Sequence, residues 1–178
     1  MSTITPPATT VPTGTYHADP VHSALGFEVR YMGIAFFKGA VKDFGATLAD
    51  GKLAGAARIE SLETKDENLH AHLLSPEFFD AAEHPEVTFT GEVVPAGEGV
   101  EVDGEITIKG VTKPAVLRGE LTGPQTDPYG NTRYGLELTT KIDRTEFGLN
   151  WNADMPDGTK ALANDVTLKA ELSLVAAA

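Results

Sequence analysis

Five stretches of this 178-residue chain, 86–94, 99–108, 115–123, 132–142 and 164–174, alternate apolar and polar side chains, and no helix-period stretch separates one from the next. A period of two puts alternate side chains on opposite faces of a sheet, one dry and one wet. Strands that follow one another through turns rather than crossover helices pair antiparallel. The connections read as turns at Pro95-Ala96-Gly97, Lys109-Gly110 and Asp127 to Asn131, with a loop around Pro156-Asp157-Gly158. Upstream, Thr15 to Ala18 reads as a short first strand broken by Asp19-Pro20, and Leu25, Phe27, Val29 and Tyr31 alternate as a second. Residues 34–49 carry Ile34, Phe36, Phe37, Val41, Phe44 and Leu48 with Gly39 and Gly45 between them, the pattern of a strand with bulges or bends. Asp50-Gly51 is a hairpin turn, and 53–60 returns as a strand. Eight or nine antiparallel strands in sequence form a sheet whose two edges are removed by closure into a barrel.

Helical character is confined to one insertion. Thr64 and Glu67 read as a capping box, and Leu69, His72 and Leu73 fall at i, i+3 and i+4 on one helix face. Ser75-Pro76 has the hydroxyl and proline of a second helix start, carrying Phe78 and Phe79. Two short helices are therefore expected over one side or end of the barrel. Residues 1–13 are Thr- and Pro-rich with few large apolar groups, the composition of a disordered tail, which leaves 14–178 as one domain.

Charge and composition exclude several functions. A net charge of −12 repels phosphate backbones, so nucleic acid is not an expected partner. With no cysteine there are no disulfides, thiol nucleophiles or thiolate metal sites. No apolar run reaches the length of a membrane helix, so stable membrane insertion is not expected. The first residues lack the basic start and apolar run of an export signal, which gives a cytoplasmic expectation.

Asp127 to Arg133 (DPYGNTR) and Asp143 to Asn152 (DRTEFGLNWN) carry a resemblance to the YceI family, whose members have D-P-[WY]-G-N-x-R followed by [ND]-R-x-[DE]-F-G-L-x-W-N. The same family's D-P-x-H-S start is met by Asp19, Pro20, His22 and Ser23, and its A-H-L-x-S-x-x-F-F-D segment by Ala71, His72, Leu73, Ser75, Phe78, Phe79 and Asp80. Gly110 to Pro114 match the family's G-V-T-[RK]-P, with Lys109 in place of its preceding arginine, and Leu69-His70 stand where it often has Arg-Asp. Over about residues 14–175 the resemblance implies an all-β fold, a single antiparallel eight-stranded lipocalin-like barrel with a short helical insertion. It also implies an isoprenoid lipid, polyprenyl or quinone, held along the barrel axis, with no cofactor.

Two readings of the interior stay open. Gly91, Gly104 and Gly119 each sit in the middle of an apolar strand face, where they either leave a cavity unfilled or let strands coil closely. If a cavity exists, its expected lining is Leu25, Phe27, Val29, Phe36, Phe89, Val102, Ile106, Leu117, Leu136, Leu138, Phe147, Trp151, Val166 and Leu168. The competing reading of each is core packing.

The polar residues point away from catalysis. His70 and His72 stand at i and i+2, which separates them on a helix, so no metal site is expected. His72 reads as a hydrogen-bonded core histidine and His22 as a turn-fixing group beside Asp19. No G-x-S-x-G elbow and no phosphate-binding glycine loop is present. A phosphate head would need Arg30, Lys42, Arg58, Arg118, Arg133 or Arg144, whereas a neutral quinone suits an acidic chain better. The expectation is a lipid binder without chemistry. The alternatives are a small-molecule enzyme using His22, Asp19 or His72 as base, and a filled barrel whose outer face serves a protein partner or homodimer.

Overall fold

A computed structural model describes residues 10–177. The strands are β1 (Thr15–Ala18), β2 (Ala24–Tyr31), β3 (Ala35–Val41), β4 (Phe44–Ala49), β5 (Lys52–Arg58) and β6 (Leu62–Glu63). Helix α1 (Glu67–Leu74) follows, and then β7 (Glu86–Ala96), β8 (Gly99–Ile108), β9 (Val111–Thr126), β10 (Thr132–Asp143) and β11 (Leu162–Ala176). One-turn 3-10 helices occupy Ile59–Ser61 and Arg144–Phe147.

The strands close into a barrel of eight staves, each antiparallel to its neighbours. The first three staves are broken strands. Tyr16 of β1 pairs with Leu48 of β4 while Leu25 of β2 pairs with Val41 of β3, so β1 with β2 and β3 with β4 each make one stave. Asp19-Pro20 breaks the first stave, as its missing N–H and fixed φ dictate. Residues 59–61 interrupt the third between β5 and β6, whose Leu62 still pairs with Val41. β7 to β11 supply the other five, and β11 closes the ring by pairing with both β1 and β2.

Glycines set the wall geometry. A Cβ on Gly119 would overlap the Glu137 carbonyl oxygen, and one on Gly104 would overlap that of Thr90. A Cβ on Gly91 would stand 2.9 Å from Asp103 O and from the Phe89 ring. These three glycines therefore admit a close backbone approach and do not open space.

The insertion holds one helix. The N-cap of α1 is Asp66, whose carboxylate accepts from the Asn68 and Leu69 N–H groups at 2.7 and 3.1 Å, and Thr64 donates to Asp66 O instead of capping. Ser75 ends this helix: its hydroxyl donates to His72 O at 2.6 Å, and Phe78 and Asp80 donate their N–H groups to Ser75 O in a turn. The expected second helix does not form, because the hydroxyl that would have capped it is used as a C-terminal cap. Of the expected tail, residues 1–9 lie outside the described residues, while Val11 packs against the barrel core and Pro12 is buried.

Candidate ligand-binding cavity

The barrel interior is divided along its axis. At the end holding the Asp50-Gly51, Gly97 and Asp127 to Asn131 turns, Leu48, Val102, Leu136 and Leu174 have no exposure and pack with Leu53, Val93 and Val100. At the other end lies an apolar cavity of about 590 Å³. It is walled by Leu25, Phe27 and Val29 of β2, Phe37 and Val41 of β3, Phe44 and Ala46 of β4, and Gly55 and Ala57 of β5. Val87, Phe89, Ile106, Leu117, Thr140, Ile142, Val166 and Leu168 continue the wall around the ring. The insertion covers it with Leu69, His72, Leu73, Phe78 and Phe79, and the chain between β10 and β11 adds Leu149 and Trp151. The His72 ring stands edge-on to Phe78 at 5.0 Å and to Trp151 at 4.8 Å, which ties these two covers together.

The cavity reaches the surface at the β2–β3 hairpin. Tyr31 and Phe36 line it and are 43% and 49% exposed, and Ile34 at the tip is 80% exposed. β3 pairs with β6 only at Ala40 and Val41, so Ala35–Gly39 form a free edge beside this opening.

Eleven of the fourteen sequence-expected residues line the cavity: Leu25, Phe27, Val29, Phe36, Phe89, Ile106, Leu117, Leu138, Trp151, Val166 and Leu168. Val102, Leu136 and Phe147 do not. The first two are packed into the filled end, and Phe147, on the 3-10 turn after β10, is wedged with Ile106, Ile108, Ala115 and Leu149. Sequence reasoning missed the insertion's covering residues and Leu149 as lining, although Leu69, His72 and Leu73 already stood on one helix face. It also missed Gly26, Gly45 and Gly55, the glycines that border the cavity.

The motif residues Asp19, His22, Asp127 and Arg133 meet outside the cavity. Arg133 Nε donates to Asp127 Oδ2 at 2.8 Å, and its Nη1 donates to Asp19 Oδ2 at 3.0 Å and to Ser173 Oγ at 3.2 Å. His22 Nδ1 lies 2.7 Å from Asp19 Oδ2 with its side chain 67% exposed. The hydrogen bonds from His22 and then from Arg133 hold the Asp19 carboxyl well below the usual carboxylate range, and Arg133 followed by the Asn131 N–H does the same for Asp127. This cluster is a latch that fastens the β1–β2 break and the β9–β10 turn to β10 and β11. Asp127 also accepts from the Tyr129 and Asn131 N–H groups at 2.9 Å, which shapes that turn.

Among the six cations weighed for a polar head, Arg144 alone lines the cavity. Arg30 lies over the Phe36 ring at 4.3 Å, while Arg58 and Arg118 pair with Asp43 and Glu101. Arg144 is buried. Its Nε donates to Ala163 O at 2.9 Å and its Nη1 to Leu149 O at 2.6 Å and Trp151 O at 2.8 Å. It thereby pins the chain between β10 and β11 to the barrel, and burial pushes its pKa down despite the neighbouring Asp143 charge. Asp143 accepts from Thr145 Oγ1 and N, which caps the 3-10 turn and keeps its carboxyl below the usual range.

A closed antiparallel barrel with an apolar interior and few polar groups has the architecture of barrels that enclose one small ligand. A YceI-like domain model matches residues 16–174. The chain belongs to the YceI family. A Photorhabdus laumondii protein of the UPF0312 group is 34% identical over 84% of this chain and 80% of its own. Protein YceI of Escherichia coli O157:H7 is 32% identical over 72% of this chain and 71% of its own. Among solved structures, the Campylobacter jejuni YceI protein superposes with a TM-score of 0.70 at 26% identity, covering 84% of this chain and 90% of that one. A polyisoprenoid binding domain from Saccharophagus degradans superposes with a TM-score of 0.68 at 15% identity, covering 91% and 98% of the two chains, which is a likeness of fold.

Proposed function

We propose that this barrel binds an isoprenoid-type lipid, a polyprenyl chain or isoprenoid quinone, and so carries, stores or sequesters it without chemistry. The observation that carries the reading is the cavity itself, whose walls are Leu, Ile, Val and Phe side chains and whose covers are two aromatic-bearing segments. Burial of a branched hydrocarbon there gains about 25 cal/mol per Å² of apolar surface removed from water. At roughly 30 Å³ per water-sized group, 590 Å³ takes on the order of twenty non-hydrogen atoms, or about four isoprene units. A longer chain extends through the opening at Tyr31 and Phe36. The similarity of fold to a polyisoprenoid binding domain supports the same reading.

The absence of chemistry rests on what faces the cavity. The Asp19–His22 pair lies outside it, and among the described residues the lining holds no Ser, Cys, Asp or Glu to act together with His72, whose Nε2 is hydrogen-bonded to Glu77 at 2.9 Å. Titration of isoprenoids of increasing length, followed by fluorescence of the single tryptophan, Trp151, tests the reading. Saturable quenching whose affinity rises with length and levels off near four units supports it. Unsaturable or absent quenching at every length contradicts it.

A further inference from the structure

Exposed apolar side chains are concentrated at one place. Of the seven large apolar residues exposed among the described residues, four, Tyr31, Met32, Ile34 and Phe36, stand at the end of the β2–β3 hairpin. The turn itself is built against local preference. Met32 and Gly33 have φ of 55° and 70°, and Ile34 N–H donates to Tyr31 O at 3.2 Å to close it. Hairpins fill such a pair of positive-φ positions with Asn-Gly or Asp-Gly. A methionine there takes a left-handed backbone and exposes an apolar side chain, where an asparagine would suit the turn better. Charge is also distributed unevenly. From Val29 to Lys42 the chain has Arg30, Lys38 and Lys42 and no carboxylate, within a sequence of net charge −12. Arg30 lies over the Phe36 ring and donates to Gly33 O at 3.3 Å, so a cation stands directly behind the apolar tip. The neighbouring loop, whose Ala161 O accepts from Met32 N–H, carries Asp154, paired with Lys160, and Asp157, which accepts from Thr159.

Resting on the lipid-binding reading, we propose that this hairpin docks the barrel on the surface of a bilayer, its tip in the boundary between headgroups and acyl chains, and that the cavity exchanges its lipid there. A contiguous apolar patch rimmed by polar groups marks a protein or membrane contact. Three observations favour the bilayer. The patch is centred on a turn, and amphipathic elements bury their apolar side about 5–10 Å into the headgroup boundary. At roughly 3.3 Å per residue, Arg30 and its cross-strand partner Phe36, just behind the turn, then stand at the level of the phosphates. An arginine there keeps its charge among the headgroups while its stem lies along apolar surface. At physiological salt, charges more than about 8 Å away are largely screened, so the hairpin's cations count for more at the contact than the net charge of the chain. Finally, the cavity opens beside Tyr31 and Phe36, so a lipid leaving the bilayer passes from one apolar medium to another without crossing water.

The test is flotation of the protein with vesicles of mixed phosphatidylcholine and phosphatidylglycerol, beside titration of the isoprenoid alcohol farnesol followed by Trp151 fluorescence. The wild-type protein is expected to float with the vesicles. Ile34→Asp, at a side chain that does not line the cavity, is expected to lose about tenfold in vesicle affinity and to keep its farnesol binding. Met32→Asn separates docking from folding: it suits the turn, so it should raise the thermal unfolding midpoint while weakening vesicle binding. A wild-type protein that stays in the unbound fraction, or either variant floating as well as wild type, would overturn the docking and leave lipid binding intact. So would a wild-type dimer that Ile34→Asp splits into monomers, because a second copy would then cover the patch. Vesicle binding without farnesol binding would overturn the lipid reading, and the exchange with it.

Discussion

The two ends of this barrel are built from the same staves and differ in what fills them. Along β10, Leu136 is sealed among Leu48, Val102 and Leu174, whereas Ile142, six residues further on, borders the cavity. β11 repeats the contrast with buried Leu172 and Leu174 at one end and the half-buried Val166 and Leu168 at the other. Hydrophobicity is shared by both ends, so it cannot explain the difference. Supports differ instead. The filled end is drawn together by tight turns and by the Asp19–Arg133–Asp127 latch, while the cavity end is roofed by the insertion and by the chain between β10 and β11. A barrel of eight strands is at the width where side chains either just fill it or just leave room for a ligand. Here one molecule does both.

The contrast can be broken most strongly at the filled end. Leu136→Ala should cost about 4 kcal/mol of unfolding free energy, because the packed neighbours cannot close over the lost volume. Leu168→Ala, on the cavity wall, should cost about 1 kcal/mol, since its side chain already borders space. Urea unfolding measures both, and equal losses would remove the distinction between the ends.

Glycines sharpen the same comparison. Gly119→Ala should destabilise by about 3 kcal/mol, because its methyl meets the Glu137 carbonyl and the strands must part. Gly55→Ala, on the cavity wall, places its methyl 3.4 Å from Gly45 O, an ordinary contact, and should stay within about 0.5 kcal/mol of wild type. Gly55→Leu should also fold, and it should weaken isoprenoid binding by occupying the cavity. Binding unchanged in a folded Gly55→Leu protein would argue that the ligand lies elsewhere.

The latch gives a smaller, pH-dependent effect. Asp19 and Asp127 have folded-state pKa values below the unfolded range near 4. A depressed carboxylate contributes stability that is present above that range and lost as pH falls through it toward the folded value. Asp127→Asn should therefore be less stable than wild type at pH 7, and the gap should narrow below about pH 4. Unfolding midpoints of the two proteins between pH 7 and pH 3 check this. A gap that is constant across the series would mean that the latch is held by something other than charge.

The alternation of 86–94 through 164–174, joined by turns without crossover helices, sufficed for an antiparallel sheet, while its closure as an eight-stranded barrel was implied by the family resemblance. Alternation did not suffice for the site. Parity places Val102, Leu136 and Ile106 alike on the inner face, but only position along the barrel axis separates the packed pair from the lining Ile106. That position depends on how the staves are staggered, which no single strand encodes. The insertion was legible in part. Leu69, His72 and Leu73 announced a helix face, while Ser75-Pro76 looked like a start and turned out to be an ending, because the last carbonyls of α1 took the hydroxyl. Arg144 stood in a motif, yet its role needed the three carbonyls that fold back onto it.

Native mass spectrometry of the protein purified from its own host, followed by organic extraction of whatever is released, tests most directly that the cavity end exists to hold a lipid. The account predicts one isoprenoid lipid per chain. A ligand-free mass that persists after incubation with isoprenoid quinones and polyprenyl phosphates would contradict it.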